Sequence, residues 1–315
     1  WKVDPTGKEK PVYITNGVGR KKQLTFRYSE LDREERFVKD GQTLLFGVFD
    51  NKEKGYGLTT HKLGSSFALN ESVPVTNPAV INSGNVLKGK NSDVLVYTAM
   101  TPQMSPSLFS TTLSTAQNHK AAKQLSTSNE QQKDYNWYTV ELHKWKMFDG
   151  KESEGLLFKP ENFDPNKKYP VIFYFYERNA DTRYSYRTPA PSASTINIAY
   201  FTSNGYLVFD PNIYYKDGEP GESAYNSVVS AGKYLSKMKF VDSTKMAIQG
   251  QSWGGYQVAY LVTRTKMFAA AGAGAPVLRR LLAGAPGVGA ADRTHRRRGA
   301  GRAGDAAGLA AGAPC

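Results

Sequence analysis

The sequence predicts a mostly parallel sheet flanked by helices, preceded by a segment built from β-strands. Three observations carry this. Between about Trp137 and Val277, short apolar runs alternate with stretches at helical spacing, the pattern of strands and the helices that cover them. Residues 170–176 (Pro-Val-Ile-Phe-Tyr-Phe-Tyr) form a continuous apolar run, as a strand buried on both faces should. Before Trp137, strand-like runs follow one another with turn signals at short intervals.

The first segment, 1–139, is read as β. Residues 1–4 and 12–15 flank a Pro5-Thr6-Gly7 turn, and 43–49 and 57–63 flank 50–55 as a hairpin. Leu44-Leu45-Phe46, after a polar turn, is echoed by Leu95-Val96-Tyr97, 51 residues on. Strand repeats of about 40–50 residues suggest propeller blades, with a β-sandwich as the alternative.

The second segment, 140–277, carries the α/β pattern. Residues 141–147 and 155–159 around Asp149-Gly150 predict an antiparallel pair, and 206–209 a short strand. Val228, Ala231, Tyr234, Leu235 and Met238 fall at helical spacing and predict a helix over 223–238. Strands at 246–249 and 268–273 bracket a helix over 256–265.

The third segment, 278–315, differs in kind. Nineteen of its 38 residues are Ala or Gly and seven are Arg, with no Lys, Glu, Asn, Ile, Ser or aromatic residue. Its residue types are those of G/C-rich codons, whereas the preceding chain favours A/T-rich ones. A shifted reading frame or a sequence join near Val277 would produce this. So few large apolar groups cannot offset the entropy of ordering, so disorder is expected.

The net charge of +13 is concentrated in part in that tail, and no Lys/Arg-rich stretch is interleaved with aromatics. This argues against a nucleic-acid binder. No run approaches the ~18 apolar residues of a membrane span. The only cysteine is Cys315, which excludes an internal disulfide framework and a cysteine metal site. Neither a metal nor an organic cofactor is implied. The chain opens at Trp1 without a basic-then-apolar leader and is read as a cut end, which leaves a cytoplasmic or an exported setting open.

Chemistry concentrates at Gly250-Gln251-Ser252-Trp253-Gly254, followed by Gly255. G-x-S-x-G between a strand and a helix is the nucleophile elbow of the α/β-hydrolase fold, with Ser252 as nucleophile. A turn this tight strains the serine backbone, and Gly250 and Gly254 leave room where side chains would collide. The Trp253 amide, at the helix start, can face a developing oxyanion. An activated serine also needs a base and an orienting acid. After Ser252 the only histidine is His295, and the only acids are Asp292 and Asp305. Asp292 and His295 lie three residues apart in the anomalous tail, which makes them a poor dyad. His61, His119 and His143 precede the elbow and are read as ordinary strand or loop histidines.

Residues 250–256, the preceding Val241-Asp242 and Met246-Ala247-Ile248, and the following 268–277 resemble the prolyl oligopeptidase family of serine peptidases. The dipeptidyl-peptidase and acylaminoacyl-peptidase branches look most similar. Tyr169-Pro170-Val171-Ile172 leading to Tyr176 is similar to the family's strand before its oxyanion tyrosine, and Gly205-Tyr206-Leu207-Val208 to its next strand. The resemblance covers 140–277 well and 1–139 loosely, as the last blades of the family's β-propeller.

It implies an α/β-hydrolase domain, incomplete at its C-terminal strands, after a partial β-propeller. It also implies an oxyanion hole made by the Tyr176 hydroxyl and the Trp253 amide. The expected partner is a short peptide substrate, and the full-length parent is open to homo-oligomers. Glu177-Arg178-Asn179 departs from the Gly-Gly-Pro-like turn of many members. The family's acid, base and last strands would lie beyond Val277, so the chain as given is expected to be a weak or inactive catalyst. Two other readings are an esterase or lipase using the same elbow, and a non-catalytic peptide-binding or scaffold protein.

Overall fold

The computed structural model describes residues 1–277 except 33, 36, 68, 70–79, 82 and 193. The anomalous tail, with Asp292, His295 and Asp305, lies outside the described residues. Residues Trp1–Val277 form one compact unit.

Two small antiparallel sheets come first. Lys2 and Val12 form a bridge around a turn in which the Asp4 carboxylate accepts the amides of Thr6, Lys8 and Glu9. A short helix α1 (Val18–Lys22) leads into β1 (Leu24–Ser29), β2 (Thr43–Asp50) and β3 (Tyr56–Lys62), which form a three-stranded sheet. The hairpin expected around 50–55 is present, with Thr43 opposite Lys62. Then β4 (Val80–Ile81), β5 (Leu87–Lys88), β6 (Val94–Thr101), β7 (Met104–Thr112) and β8 (Lys123–Gln124) build a second sheet. The two halves of the sequence echo start β2 and β6, and their matched pairs Leu44/Leu95 and Phe46/Tyr97 are buried. Leu45 and Leu58 of the first sheet share a core with Leu95, Tyr97 and Phe109 of the second.

The third sheet has six strands: β9 (Tyr138–Lys146), β10 (Glu152–Pro160), β11 (Tyr169–Tyr174), β12 (Leu207–Pro211), β13 (Val241–Gln251) and β14 (Ala270–Gly274). Their order is β14-β13-β11-β12-β10-β9. The contacts β12–β11–β13–β14 are parallel, and β9 and β10 add an antiparallel pair. The parallel strands are linked by α2 (Ile198–Ser203), α3 (Pro220–Leu235) and α4 (Trp253–Arg264).

Alternation within the apolar runs feeds cores on both faces. Val171, Phe173, Phe175, Leu207 and Phe209 point into one cluster with residues of α3 and α4. Ile172 and Val208 point into the other, with Ile198 and Ala199 of α2. Each fully buried side chain of this kind contributes about 1.5–3 kcal/mol.

Several bounds differ from the sequence expectation. The run 170–176 is paired only to Tyr174, so Phe175 and Tyr176 belong to the loop beyond β11. Helix α3 starts at Pro220, whose missing amide suits the first turn, and stops at Leu235. Helix α4 starts at Trp253 rather than 256, directly after the serine. Helix α2 is not anticipated, because six residues are too few to display a helical period. The small-residue strand is present as β14, largely exposed at the sheet edge. Among the described residues, no helix is long and apolar enough to cross a membrane.

Candidate active site

Ser252 sits between the carboxyl end of β13 and the first residue of α4. Its backbone has φ 55° and ψ −110°, far from what an L-residue ordinarily adopts. The Ser252 carbonyl accepts from the Tyr256 amide at 3.0 Å, which opens the helix. A serine in this capping place usually turns its hydroxyl onto the second or third helical amide. Here the hydroxyl makes no such capping bond, and the residue is only partly buried.

Three glycines surround this turn, and each stands where a Cβ would meet backbone. On Gly250 it would lie 2.5 Å from the Gly254 carbonyl carbon and oxygen. On Gly254 it would lie 2.5 Å from the Phe175 carbonyl oxygen, and on Gly255 2.5 Å from that of Gly274. The elbow is therefore packed between the start of the loop beyond β11 and β14 by main chain against main chain.

The loop after β11 brings Tyr176 alongside. Its Cδ2 is 3.8 Å from the place a Cβ on Gly254 would take, so its ring stands beside the start of α4. The ring is partly open to solvent. The Tyr176 carbonyl accepts from the Tyr215 hydroxyl at 3.2 Å and from Gln257 Nε2 at 3.0 Å. The Trp253 indole Nε1 donates to the same Tyr215 hydroxyl at 2.7 Å, and Gln257 Nε2 donates to it as well. The Trp253 ring stacks on Tyr256 with centroids 4.9 Å apart. Burial pushes the Tyr215 hydroxyl up to about 12, despite the opposing bond from Trp253.

Past Tyr176, the Glu177-Arg178-Asn179 stretch follows a well-anchored path. The Glu177 carbonyl accepts the Ile213 amide at 2.7 Å, and Arg178 lies over the Tyr214 ring. Asn212 Oδ1 accepts the amides of Asn179 and Ala180 at 2.8 and 3.0 Å. The Asn179 side chain donates to both carboxylate oxygens of Asp210. Asp210 is fully buried, and burial pushes it up to about 6 against the pull of Arg187 and Asn179.

The turn between β2 and β3 reaches this same region. Lys54, only 4% exposed, pairs with Glu154 at 2.6 Å and Asp181 at 2.9 Å. Burial pulls the ammonium down, but the two carboxylates more than offset this and leave it raised. Next to it, Arg183 pairs with Glu53.

Gly250, Ser252, Trp253, Gly254, Gly255 and Tyr176 are thus gathered at one place. The three described histidines make their contacts elsewhere. His61 packs on Phe67, His119 bonds the Tyr97 hydroxyl, and His143 bonds Glu141 and Tyr234. No group of three or more potential metal ligands occurs among the described residues. Tyr215, Gln257, Asn179 and Asp210 are not singled out by sequence patterns. One signal was available: Gln257 falls four residues after Trp253 and four before Leu261, a polar residue in the stripe of α4 that faces the core.

Residues 191–283 match the family model described as the prolyl oligopeptidase family. Over that stretch the chain is similar to the prolyl oligopeptidase family. This is a family of serine peptidases, and several named relatives are similar. A probable dipeptidyl-aminopeptidase B of Ajellomyces capsulatus is 30% identical over 105 residues, which is 31% of this chain and 11% of the relative. Dipeptidyl peptidase 8 of Homo sapiens is 28% identical over 163 residues, 44% of this chain and 16% of the relative.

Among solved structures, a putative dipeptidyl aminopeptidase IV from Bacteroides ovatus superposes with a TM-score of 0.56 at 20% identity. That match covers 80% of this chain and 36% of the other. Dipeptidyl peptidase 4 of Porphyromonas gingivalis gives 0.53 at 19% identity, covering 80% and 35%. At such identities the likeness shows the fold, an α/β-hydrolase sheet. The matched part of the chain spans less than a fifth of the length of these two curated relatives.

Proposed function

We propose that the chain carries the nucleophile half of a serine peptidase site, with Ser252 attacking the carbonyl of a short peptide. The observation behind this reading is the backbone of Ser252, held at φ 55° and ψ −110° with its hydroxyl not used for capping. Such a conformation costs an L-residue about 1–3 kcal/mol and is kept where the surroundings over-determine it, most often at reactive sites. In the attack, the Ser252 Oγ–C bond forms as the carbonyl π pair moves to oxygen, and the hydroxyl proton passes to a base. Collapse breaks the C–N bond and expels the amine with that proton. Water then cleaves the acyl enzyme and regenerates the hydroxyl.

The Tyr176 hydroxyl and the Trp253 amide are the proposed donors to the oxyanion. Removing one such donor typically costs about 100–1,000-fold in rate. The Gly250, Gly254 and Gly255 positions keep the turn closed. None of the described histidines contacts the elbow, so we expect the chain alone to turn over peptides at a small residual rate, which added imidazole would raise.

The names of the relatives, dipeptidyl peptidases among them, favour short peptides as the substrate class. We also propose that 1–139 are blades of a partial propeller that limits access to a hydrolase domain over 140–277. In that reading, further strands would extend the sheet beside β14.

A fluorophosphonate probe with excess imidazole tests the central claim. Mass spectrometry should find the adduct on Ser252, and Ser252→Ala should abolish it. A folded protein that stays unlabelled, or an adduct that survives in S252A, would end the nucleophile reading. Faster release from a dipeptide anilide than from a short-chain ester separates peptidase from esterase.

A further inference from the structure

We propose that Tyr215 is a positioning residue that fixes the spacing between the two oxyanion donors, Tyr176 and Trp253. This rests on the nucleophile reading of Ser252 and goes beyond it to a residue outside the elbow.

The two donors sit on different elements. Trp253 opens α4 and is held by the helix. Tyr176 lies on the loop beyond the last paired residue of β11 and is 41% exposed as a residue. The last backbone bond to β13 is that of the Phe175 amide to the Gln249 carbonyl, one residue before Tyr176. Yet an oxyanion donor must be placed to within about 0.5 Å to act. On either side the main chain is tied to the sheet and to the segment of Ile213, by the Phe175 amide to the Gln249 carbonyl at 3.4 Å and the Ile213 amide to the Glu177 carbonyl at 2.7 Å. The Tyr176 carbonyl between them is bonded by the Tyr215 hydroxyl at 3.2 Å and by Gln257 Nε2 at 3.0 Å.

The Tyr215 hydroxyl links both sides. A phenol has one proton to give and two lone pairs to accept with. Here the proton goes to the Tyr176 carbonyl, and the lone pairs take the Trp253 indole and the Gln257 amide. All three capacities are used, and all three partners belong to the loop of Tyr176 or to α4. The segment carrying Tyr215 is itself anchored to α3, since the amides of Tyr214 and Lys216 donate to the hydroxyls of Ser227 and Ser223. Tyr215 thus transfers the rigidity of α3 to the gap between loop and helix. With its titration pushed up to about 12, the hydroxyl stays protonated at neutral pH, so its bond to the Tyr176 carbonyl persists.

The test is the rate of covalent capture of Ser252 by a fluorophosphonate in excess imidazole. In that step the Oγ–P bond forms, the P–F bond breaks, fluoride leaves, and imidazole takes the hydroxyl proton. Tyr215→Phe should lower the maximal capture rate by about 10–100-fold, the scale expected when a reacting group is misplaced by an ångström or less. The half-saturating probe concentration should stay within about twofold, because transition-state placement and not probe binding is lost.

In a Tyr176→Phe background the same change should cost much less, because Tyr215 would act largely through a group already removed. The Trp253 indole N–H resonance should move in Tyr215→Phe as its acceptor disappears. If Tyr215→Phe fails to fold, Gln257→Met, which removes one arm of the same link, should slow capture instead.

An unchanged capture rate in the folded variant overturns the inference. So does an equal loss in both backgrounds, or a loss confined to probe affinity. A wild type that is never captured at Ser252 overturns the nucleophile reading as well, and so is told apart from failure of the positioning role alone.

Discussion

The amide of Ser252 donates to the carbonyl of Gly274 at 2.8 Å, which ties the elbow to the edge strand β14. The same carbonyl oxygen is the atom a Cβ on Gly255 would meet at 2.5 Å. Gly255→Ala therefore sets a methyl group against a backbone oxygen that is already in use. The expected cost is about 1–3 kcal/mol, as for other over-packed sites. Urea unfolding measures it, and amide exchange at Ser252 should quicken as β14 is pushed away. Equal midpoints for variant and wild type would mean that the close approach is not real.

The strain at Ser252 can be measured apart from its chemistry. Ser252→Ala and Ser252→Gly both remove the hydroxyl, but only glycine accepts φ 55° without steric cost. Relief of about 1–3 kcal/mol outweighs the ~0.5–1 kcal/mol by which glycine loosens the unfolded chain. S252G should thus be more stable than S252A by roughly 0.5–2 kcal/mol in urea titrations. The reverse order would argue for a relaxed turn.

Lys54 offers a test of the link between the β2–β3 turn and the loop beyond β11. Lys54→Met leaves Glu154, itself largely buried, without its counter-charge. The loss is expected at about 1–3 kcal/mol, below that of a fully enclosed pair because Asp181 is 62% exposed. Hydrogen exchange should rise across 179–183. Adding Glu154→Gln should recover part of the stability, since it removes the stranded charge. A fully additive double variant would show that the pair is not coupled.

Asp210 makes a prediction about pH. Burial raises its folded-state titration to about 6, above an ordinary aspartate near 3.9. Between those values the folded protein binds more protons than the unfolded chain. Its contribution to stability is therefore fully present below about pH 4 and is lost as pH rises through 6. Asp210→Asn lacks this term. The stability of wild type relative to the variant should fall by on the order of 2 kcal/mol between pH 4 and 7. A difference that does not vary with pH would mean that Asp210 titrates normally.

The sheet and the elbow were legible because both are written locally. The run at 170–176 and the strand around 246–249 are apolar and short, and G-x-S-x-G falls between elements of the right kind. The small residues of β14 marked a strand, though not its place at the edge. Gln257 is marked only as a polar residue in an apolar stripe, and its pairing with Tyr215 was not legible, because it depends on a hydroxyl and an amide meeting 42 residues apart in sequence. Lys54 and Asp181 belong together only after the third sheet has formed, and no local period encodes that. Asp210 directly follows the strand expected at 206–209, and nothing local marks it as buried. Its burial comes with its place in β12, all of whose residues are buried, and Asn179 donates to its carboxylate there.

The ammonium shared by Glu154 and Asp181 also limits how the gene could be shuffled. A crossover between codons 54 and 154 that brought in an upstream turn without a lysine would juxtapose two carboxylates beside Asn179 and Asn212. The incoming piece would have to supply its own cation or accept a neutral residue at 154. Chimeras joined within this interval should therefore express poorly unless position 54 is inherited together with its two acidic neighbours.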